Sequence, residues 1–302
     1  MALLTKTDPA PAPVKKRGAN RLPGQKALVA QPSTWFVWAG IAAFFIVLFG
    51  IVFGVLVDSF GKPWFSTWFP ENFTTDWYSE SWSRFGLGQV IGVTLAVSLI
   101  TVFVAVAVGV PAAYVLARKN FPGKKLLNLL FLFPIMIPPI TYGIPLATVM
   151  YNAGLGRSLT AVILVNLVPS VPFVIMTMTP FIEQINPSIE NAARMCGAGT
   201  KDLFLRILAP LLVPGMLAAS VLVLVRTVGM FELTYLVSGP GSDTLVVAIY
   251  RAMTASGGGE ARQLVSSMGV VYTATMMVIL IVALRFVNPT QLVAQVKDAS
   301  DD

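Results

Sequence analysis

Long apolar runs separated by shorter polar segments make up most of the chain. A run of about 20 apolar residues is long enough to cross a lipid bilayer as a helix. The pattern therefore predicts an all-α membrane protein with six transmembrane helices and a core at residues 88–287. The six predicted spans are 35–57, 90–116, 126–150, 159–182, 215–237 and 268–287.

Prolines distinguish the third and fourth predicted spans from the others. The two spans contain Pro134, Pro138, Pro139, Pro145, Pro169, Pro172 and Pro180. Proline removes a backbone donor and disrupts a helix in water, but neighbouring helices in a bundle can satisfy the freed carbonyls. We expect both spans to be kinked and surrounded by other helices. The general frequency of proline in membrane helices explains the pattern equally well.

The distribution of basic residues predicts the orientation of the chain. Fifteen Lys and Arg residues lie in segments on one predicted side and five on the other. Cytoplasmic loops carry such an excess, so we expect both termini inside the cell. Residues 1–34 and 288–302 are then cytoplasmic tails, the first of them disordered. Residues 35–57 form an uncleaved anchor, and residues 58–87 form a periplasmic segment.

Composition narrows the chemistry that the chain can perform. Hydrophobic residues make up 56% and charged residues 12%, with no histidine and one cysteine, Cys196. These values exclude a disulfide framework, a histidine-based catalytic pair and most metal sites. The net charge is +7, and the basic residues lie mainly in short segments between apolar runs. We therefore expect membrane lipids, and no nucleic acid, as partners. We find no nucleotide-binding signature and expect no catalytic residue, metal or cofactor.

A cytoplasmic segment at 183–214 is longer than a simple helix connection needs. Asn186 and Pro187 predict the cap and first residue of a short helix that ends at Gly197 in a left-handed turn. A second short helix is predicted to end at Pro210. Such an elbow suits docking in a groove of a partner protein, and a helix resting on lipid headgroups fits the composition equally well.

The same segment resembles the EAA motif in permease subunits of ATP-binding-cassette importers. That motif is Glu-Ala-Ala, three residues, Gly, nine residues, Ile, one residue, Leu-Pro. Asn191 replaces the motif glutamate and Ala209 replaces its leucine, with Glu190 one position before Asn191. The matching positions are Ala192, Ala193, Gly197, Ile207 and Pro210.

The resemblance covers about residues 87–286 and implies a MetI-like permease fold in a bacterial inner membrane. The elbow would be a coupling helix that fits into a cleft of a separate ATPase subunit, so the permease itself would not be an enzyme. Ala192, Ala193 and Gly197 would allow close approach, with Glu190 and Arg194 as polar contacts. The implied partners are a dimer of cytoplasmic ABC ATPases, a second permease, identical or related, and a periplasmic or lipid-anchored solute-binding protein.

Two charged residues fall inside the fifth predicted span, where an ionisable side chain is a functional candidate. On one straight helix, six positions separate Arg226 and Glu232 by about 240°, so a direct pair is not expected. We predict a translocation path that includes both, together with Phe231 and Tyr235. A structural ion pair with another helix or subunit fits the two charges equally well.

The sequence separates possible solutes only weakly. Residues 229–240 resemble polyamine and carbohydrate permeases alike. That resemblance and Glu232 favour a small organic cation such as a polyamine, with a sugar or polyol, ferric iron and a phosphonate as alternatives. A secondary transporter working alone is the rival class, since Arg226 and Glu232 could serve ion coupling. Such a carrier has no evident use for the elbow.

Overall fold

The structure is a computed structural model that describes residues 32–64, 67, 69–255 and 259–286. Most of the predicted N-terminal tail and all of the C-terminal tail lie outside these residues. Residues 32–34, assigned to the tail from sequence, begin the first helix. The chain divides into two units, Met1–Phe53 and Gly54–Asp302, and the described part of the first unit is helical throughout.

Helices account for nearly all secondary structure in the described residues, apart from an isolated bridge between Gly61 and Phe73. The helices are α1 (Pro32–Phe60), α2 (Asp76–Phe85), α3 (Leu87–Arg118), α4 (Lys124–Met136), α5 (Pro139–Asn152), α6 (Leu159–Glu183), α7 (Pro187–Met195), α8 (Thr200–Asp202), α9 (Ala209–Val228), α10 (Glu232–Val237), α11 (Leu245–Met253) and α12 (Arg262–Phe286). A π-helical turn, Leu203–Leu208, joins α8 to α9.

Five described helices are long and apolar enough to cross a membrane, or six if one bent pair counts as a span. The all-α fold with six apolar segments is thus as predicted. The bent pair is α4 and α5, which correspond to the third predicted span and meet at 99°. Pro138 and Pro139 occupy this corner, and the backbone of Pro138 is extended. Two consecutive residues without an N–H donor account for the break.

The fifth span differs from its prediction at both ends. It runs continuously from Thr200 to Val228, so the expected helix end at Pro210 is wrong. The π-helical turn directly before Pro210 widens the helix where proline cannot donate a hydrogen bond. At the other end, residues 229–231 interrupt the helix before α10 begins at Glu232.

Close contact between α3 and α6 forms the centre of the second unit. A Cβ atom at Gly109 would lie 2.7 Å from Cγ1 of Val174, so only glycine permits this approach. A buried cluster beside α7 includes Met178, Ile182 and Leu208. The 25-residue α6 places its two ends roughly 37 Å apart. We call the end that leads into α7 the α7 end, and the end near α10 and α11 the α11 end.

Candidate functional site

Local signals in the sequence fix the start and end of α7. The Asn186 Oδ1 atom accepts a hydrogen bond from the Ser188 N–H at 2.9 Å, and Pro187 is the first helical residue. Gly197 has φ +85°, and its N–H donates to the Arg194 carbonyl at 3.0 Å. The predicted cap and left-handed turn are both confirmed.

Glu190 joins α7 to the end of α3. Tyr114 Oη donates to Glu190 Oε2 and Arg118 Nε donates to Glu190 Oε1, each at 2.7 Å. Arg118 also donates through Nη2 to the carbonyl of Ile185 at 2.6 Å. Glu190 is only 7% exposed, so this carboxylate lies inside the chain rather than on an outer surface. We call this set of contacts the Glu190 clamp.

The clamp occupies both carboxylate oxygens of Glu190 within the chain itself. We expected a polar contact to an ATPase, but its charge is already satisfied by two donors on α3. Sequence reasoning did not single out Tyr114 and Arg118 as site residues, because nothing local in the chain connects them to a residue more than 70 positions away.

The outer face of α7 carries three of the other predicted coupling residues, and Gly197 follows directly after the helix. Met195 is 89% exposed. Sequence reasoning did not name it as a candidate contact, although an apolar residue beside polar ones on a short helix was a usable signal. Two predicted contacts, Ala193 and Ile207, instead pack partly buried against the chain's own core. Pro210 is exposed on α9. The exposed residues on and just after α7 are Asn191, Ala192, Arg194, Met195, Cys196 and Gly197.

Arg226 and Glu232 lie on different helices because of the break at 229–231. Both are half-buried, and no ion pair joins them among the described residues. The guanidinium of Arg226 lies over the ring of Phe173 at 5.6 Å. The structure therefore keeps the two charges on separate helices, unpaired within the described residues.

Phe231 and Tyr235 lie side by side at the start of α10. Their rings stack with centroids 5.3 Å apart, and Tyr250 contacts both rings at 4.8 and 5.1 Å. A cavity of about 390 Å³ opens beside Tyr235. Its lining includes Arg157 and Arg251, which sequence reasoning treated only as loop charges.

Five long apolar helices and a bent sixth segment are the architecture of a membrane-spanning protein. The chain belongs to the family described as binding-protein-dependent transport system inner membrane component, which matches residues 105–291. This is a family of transport components and not of enzymes, in agreement with the sequence-based expectation.

Two similar proteins illustrate the family. The trehalose transport system permease protein SugB of Mycobacterium tuberculosis is 35% identical over 44% of this chain and 48% of its own length. The molybdenum transport system permease protein ModB of Escherichia coli K12 is 30% identical over 56% of this chain and 81% of its own length. The chain thus spans about half the length of the trehalose permease.

A solved structure shows the same fold. The crystal structure of a bacterial ABC transporter involved in the import of the acidic polysaccharide alginate gives a TM-score of 0.65. The alignment covers 85% of this chain and 99% of that chain at 16% sequence identity. At this identity the likeness concerns the fold alone.

Proposed function

We propose that the chain is the permease subunit of an ATP-driven, binding-protein-dependent importer in a bacterial inner membrane. The observation that carries the proposal is the capped elbow at 187–197, which is clamped to α3 and exposes small residues together with Met195. In this function α7 docks on a cytoplasmic ABC ATPase. A second permease and a solute-binding protein complete the assembly.

The Glu190 clamp explains how a movement of the ATPase reaches the membrane helices. Glu190 binds α3 through two short hydrogen bonds, and Ala193 packs against the core. The helix therefore cannot shift independently of α3 and α6. ATP-driven closure of the ATPase pair moves α7 and its bundle as one body, which suits switching between two packed arrangements.

The proposed orientation places the α7 end in the cytoplasm, together with both termini. Cys196 is the only cysteine of the chain and is exposed beside α7. A membrane-impermeant maleimide should label Cys196 in inside-out vesicles and leave it unlabelled in right-side-out vesicles. The matched control is Cys196→Ser combined with Ser79→Cys on exposed α2, which should give the reverse pattern. Labelling of Cys196 from outside would reject the orientation.

Docking on an ATPase is tested with the same natural thiol. A crosslinker attached to Cys196 should capture an ABC ATPase co-expressed from a neighbouring gene, with a yield that changes when ATP is added. Cys196→Ser should give no product. If the permease and ATPase support uptake together but Cys196 never crosslinks, the docking surface lies elsewhere. Uptake that persists without an ATPase would favour the alternative of an ion-coupled secondary transporter.

The proposed cargo is a small polar solute, and a polyamine-like cation is the choice that rests on Glu232. Its carboxylate is half-buried at the start of α10, where it could attract a cation. If it does, Glu232→Gln should lower uptake of putrescine at least about tenfold, since a charged hydrogen bond contributes roughly 1.5–3 kcal/mol. Unchanged uptake would remove this role. A sugar or polyol, ferric iron and a phosphonate are the alternative cargoes.

A further inference from the structure

A cavity at the α11 end brings two arginines and two tyrosines together. Its volume of about 390 Å³ falls within the range of small-ligand sites. It forms where the loop before α6 meets α10 and α11, so it lies at the opposite end of α6 from α7. The lining residues are Tyr151, Arg157, Tyr235, Leu236, Ser238 and Arg251. We call this the arginine–tyrosine cavity.

Arg157 is held in this cavity by an unusual backbone conformation. Its φ of +62° makes it the one non-glycine residue with positive φ in the described chain. The Arg157 N–H donates to the carbonyl of Val237 at 2.8 Å, which fixes the loop against α10. A Cβ at Gly239 would lie 2.7 Å from Arg157 Cβ, so this contact requires glycine. Such conformations cluster at functional sites.

The charges of the cavity do not cancel. Arg251 Nε lies 3.0 Å from Asp243 Oδ2, and its guanidinium lies over the Tyr235 ring at 5.7 Å. Arg157 is exposed and has no carboxylate within 4.0 Å among the described residues. One positive charge of the pair is therefore left for a ligand.

One wall of the cavity contains a buried hydroxyl group. Ser238 is 4% exposed and lines the cavity, yet its Oγ atom has no hydrogen-bond partner among the described residues. Buried polar groups are nearly always hydrogen-bonded, so the hydroxyl is an unsatisfied group in the cavity wall, and burial closes its Oγ atom off from the cavity itself. It stands beside Arg251, whose Nη2 atom is 3.4 Å from the Ser238 carbonyl oxygen.

The combination selects one ligand chemistry. A guanidinium presents a planar fork that matches a carboxylate or an oxyanion, and the tyrosine rings offer flat faces to a sugar ring or similar apolar surface. We infer that the arginine–tyrosine cavity binds the anionic group of a small organic solute, such as a sugar acid, on its way into the importer. This inference rests on the proposed function, and it makes an acidic solute the rival of the polyamine-like cation that Glu232 favours.

The test uses the full chain in nanodiscs of phosphatidylcholine, with thermal unfolding as the readout. Sodium galacturonate should raise the midpoint at constant ionic strength, whereas galactose and putrescine should leave it unchanged. Arg157→Asn removes the charge but tolerates positive φ, and it should weaken the apparent galacturonate affinity at least about tenfold. Arg157→Lys should retain part of the affinity, since it keeps the charge and loses the fork.

The matched control is Arg84→Gln, which removes another exposed arginine outside the cavity. Arg84 is bound to Glu80 and Glu260, so galacturonate should act on this variant as on the parent chain. An equal response of Arg157→Asn and Arg84→Gln, or no response of the parent chain, would overturn the inference. If phosphatidylglycerol raises the midpoint through Arg157 and galacturonate does not, the anion belongs to a lipid headgroup and the solute is excluded.

The outcome separates this inference from the proposed function. Galacturonate binding through Arg157 together with uptake that persists without an ATPase would keep the cavity and reject the ATP-driven importer. A crosslink together with no effect of Arg157→Asn would keep the importer and reject the cavity.

Discussion

The two ends of α6 use arginine–carboxylate pairs in different ways. At the α7 end, the side chains of Arg118 and Glu190 are 13% and 9% exposed, and each carboxylate oxygen has a donor. At the α11 end, the side chain of Arg251 is 41% exposed beside Asp243, and Arg157 faces the cavity unpaired in the described structure. Depth of burial thus separates the enclosed ion pair at the α7 end from the open one at the α11 end.

The physical basis of the difference is solvation. A buried ion pair adds little to stability compared with apolar residues, but loss of one partner leaves a charge away from water and costs several kcal/mol. An exposed pair is screened by solvent and contributes little. Variants at the α7 end should therefore have larger effects on folding and coupling than variants at the α11 end.

The largest effect is expected from Glu190→Gln. The substitution leaves Arg118 with no carboxylate partner in a largely buried position, which should lower the free energy of unfolding by about 3 kcal/mol. Steric trapping in bicelles measures this value. Crosslinking of Cys196 to the ATPase should also lose its dependence on ATP, because α7 is no longer fixed to α3.

The double variant Glu190→Gln with Arg118→Gln serves as the control for charge. It removes both members of the pair, so most of the lost stability should return. If the single variant is as stable as the parent chain, the Glu190 clamp does not fix α7 to α3, and the contrast between the two ends of α6 fails.

A smaller effect is expected from Gly197→Val. The space around Gly197 is open, so the cost comes from the backbone alone, at about 1–2 kcal/mol for a left-handed conformation. Uptake per ATP hydrolysed should fall more than this modest loss of stability alone would explain, because the turn sets the direction in which α7 points. Uptake per ATP hydrolysed measures coupling. Gly197→Asn is the matched variant, since asparagine tolerates this conformation, and equal uncoupling by both would exclude the backbone as the cause.

The smallest effect is expected at Thr234, which accepts a hydrogen bond from Asn166 Nδ2 at 3.2 Å. Asn166 also donates to the Val162 carbonyl at 2.8 Å and keeps that bond in Thr234→Val. The variant should lose about 0.6 kcal/mol of unfolding free energy by steric trapping, the average for such bonds between membrane helices. Thr148→Val, which removes an exposed hydroxyl bonded within its own helix, should change nothing measurable.

Local signals in the sequence predicted the elbow but not its attachment. Asn186, Pro187 and Gly197 act through neighbouring backbone atoms, so cap and turn were readable from a few residues. The partner of Glu190 is Arg118, 72 positions earlier, and only the packing of α3 against α6 and α7 brings the two together.

The ends of the fifth span were also not predictable from local sequence patterns. Its apolar pattern continues across residues 229–231, so periodicity alone gave no reason to end the helix at Val228. Pro210 gave a strong stop signal, but the π-helical turn before it relieved the constraint. Arg157 looked like an ordinary loop charge, since its backbone conformation has no signature in the residues around it.

The π-helical turn at Leu203–Leu208 accommodates an extra residue in the helix that leads into α9. Such a turn holds about one residue more than an α-helical turn, and each residue of an α-helix corresponds to roughly 100°. Tightening this turn would twist α8 by that angle about the axis of α9 while the apolar span stayed in place. The π-helical turn thus stands between the elbow at 187–197 and the apolar helix α9.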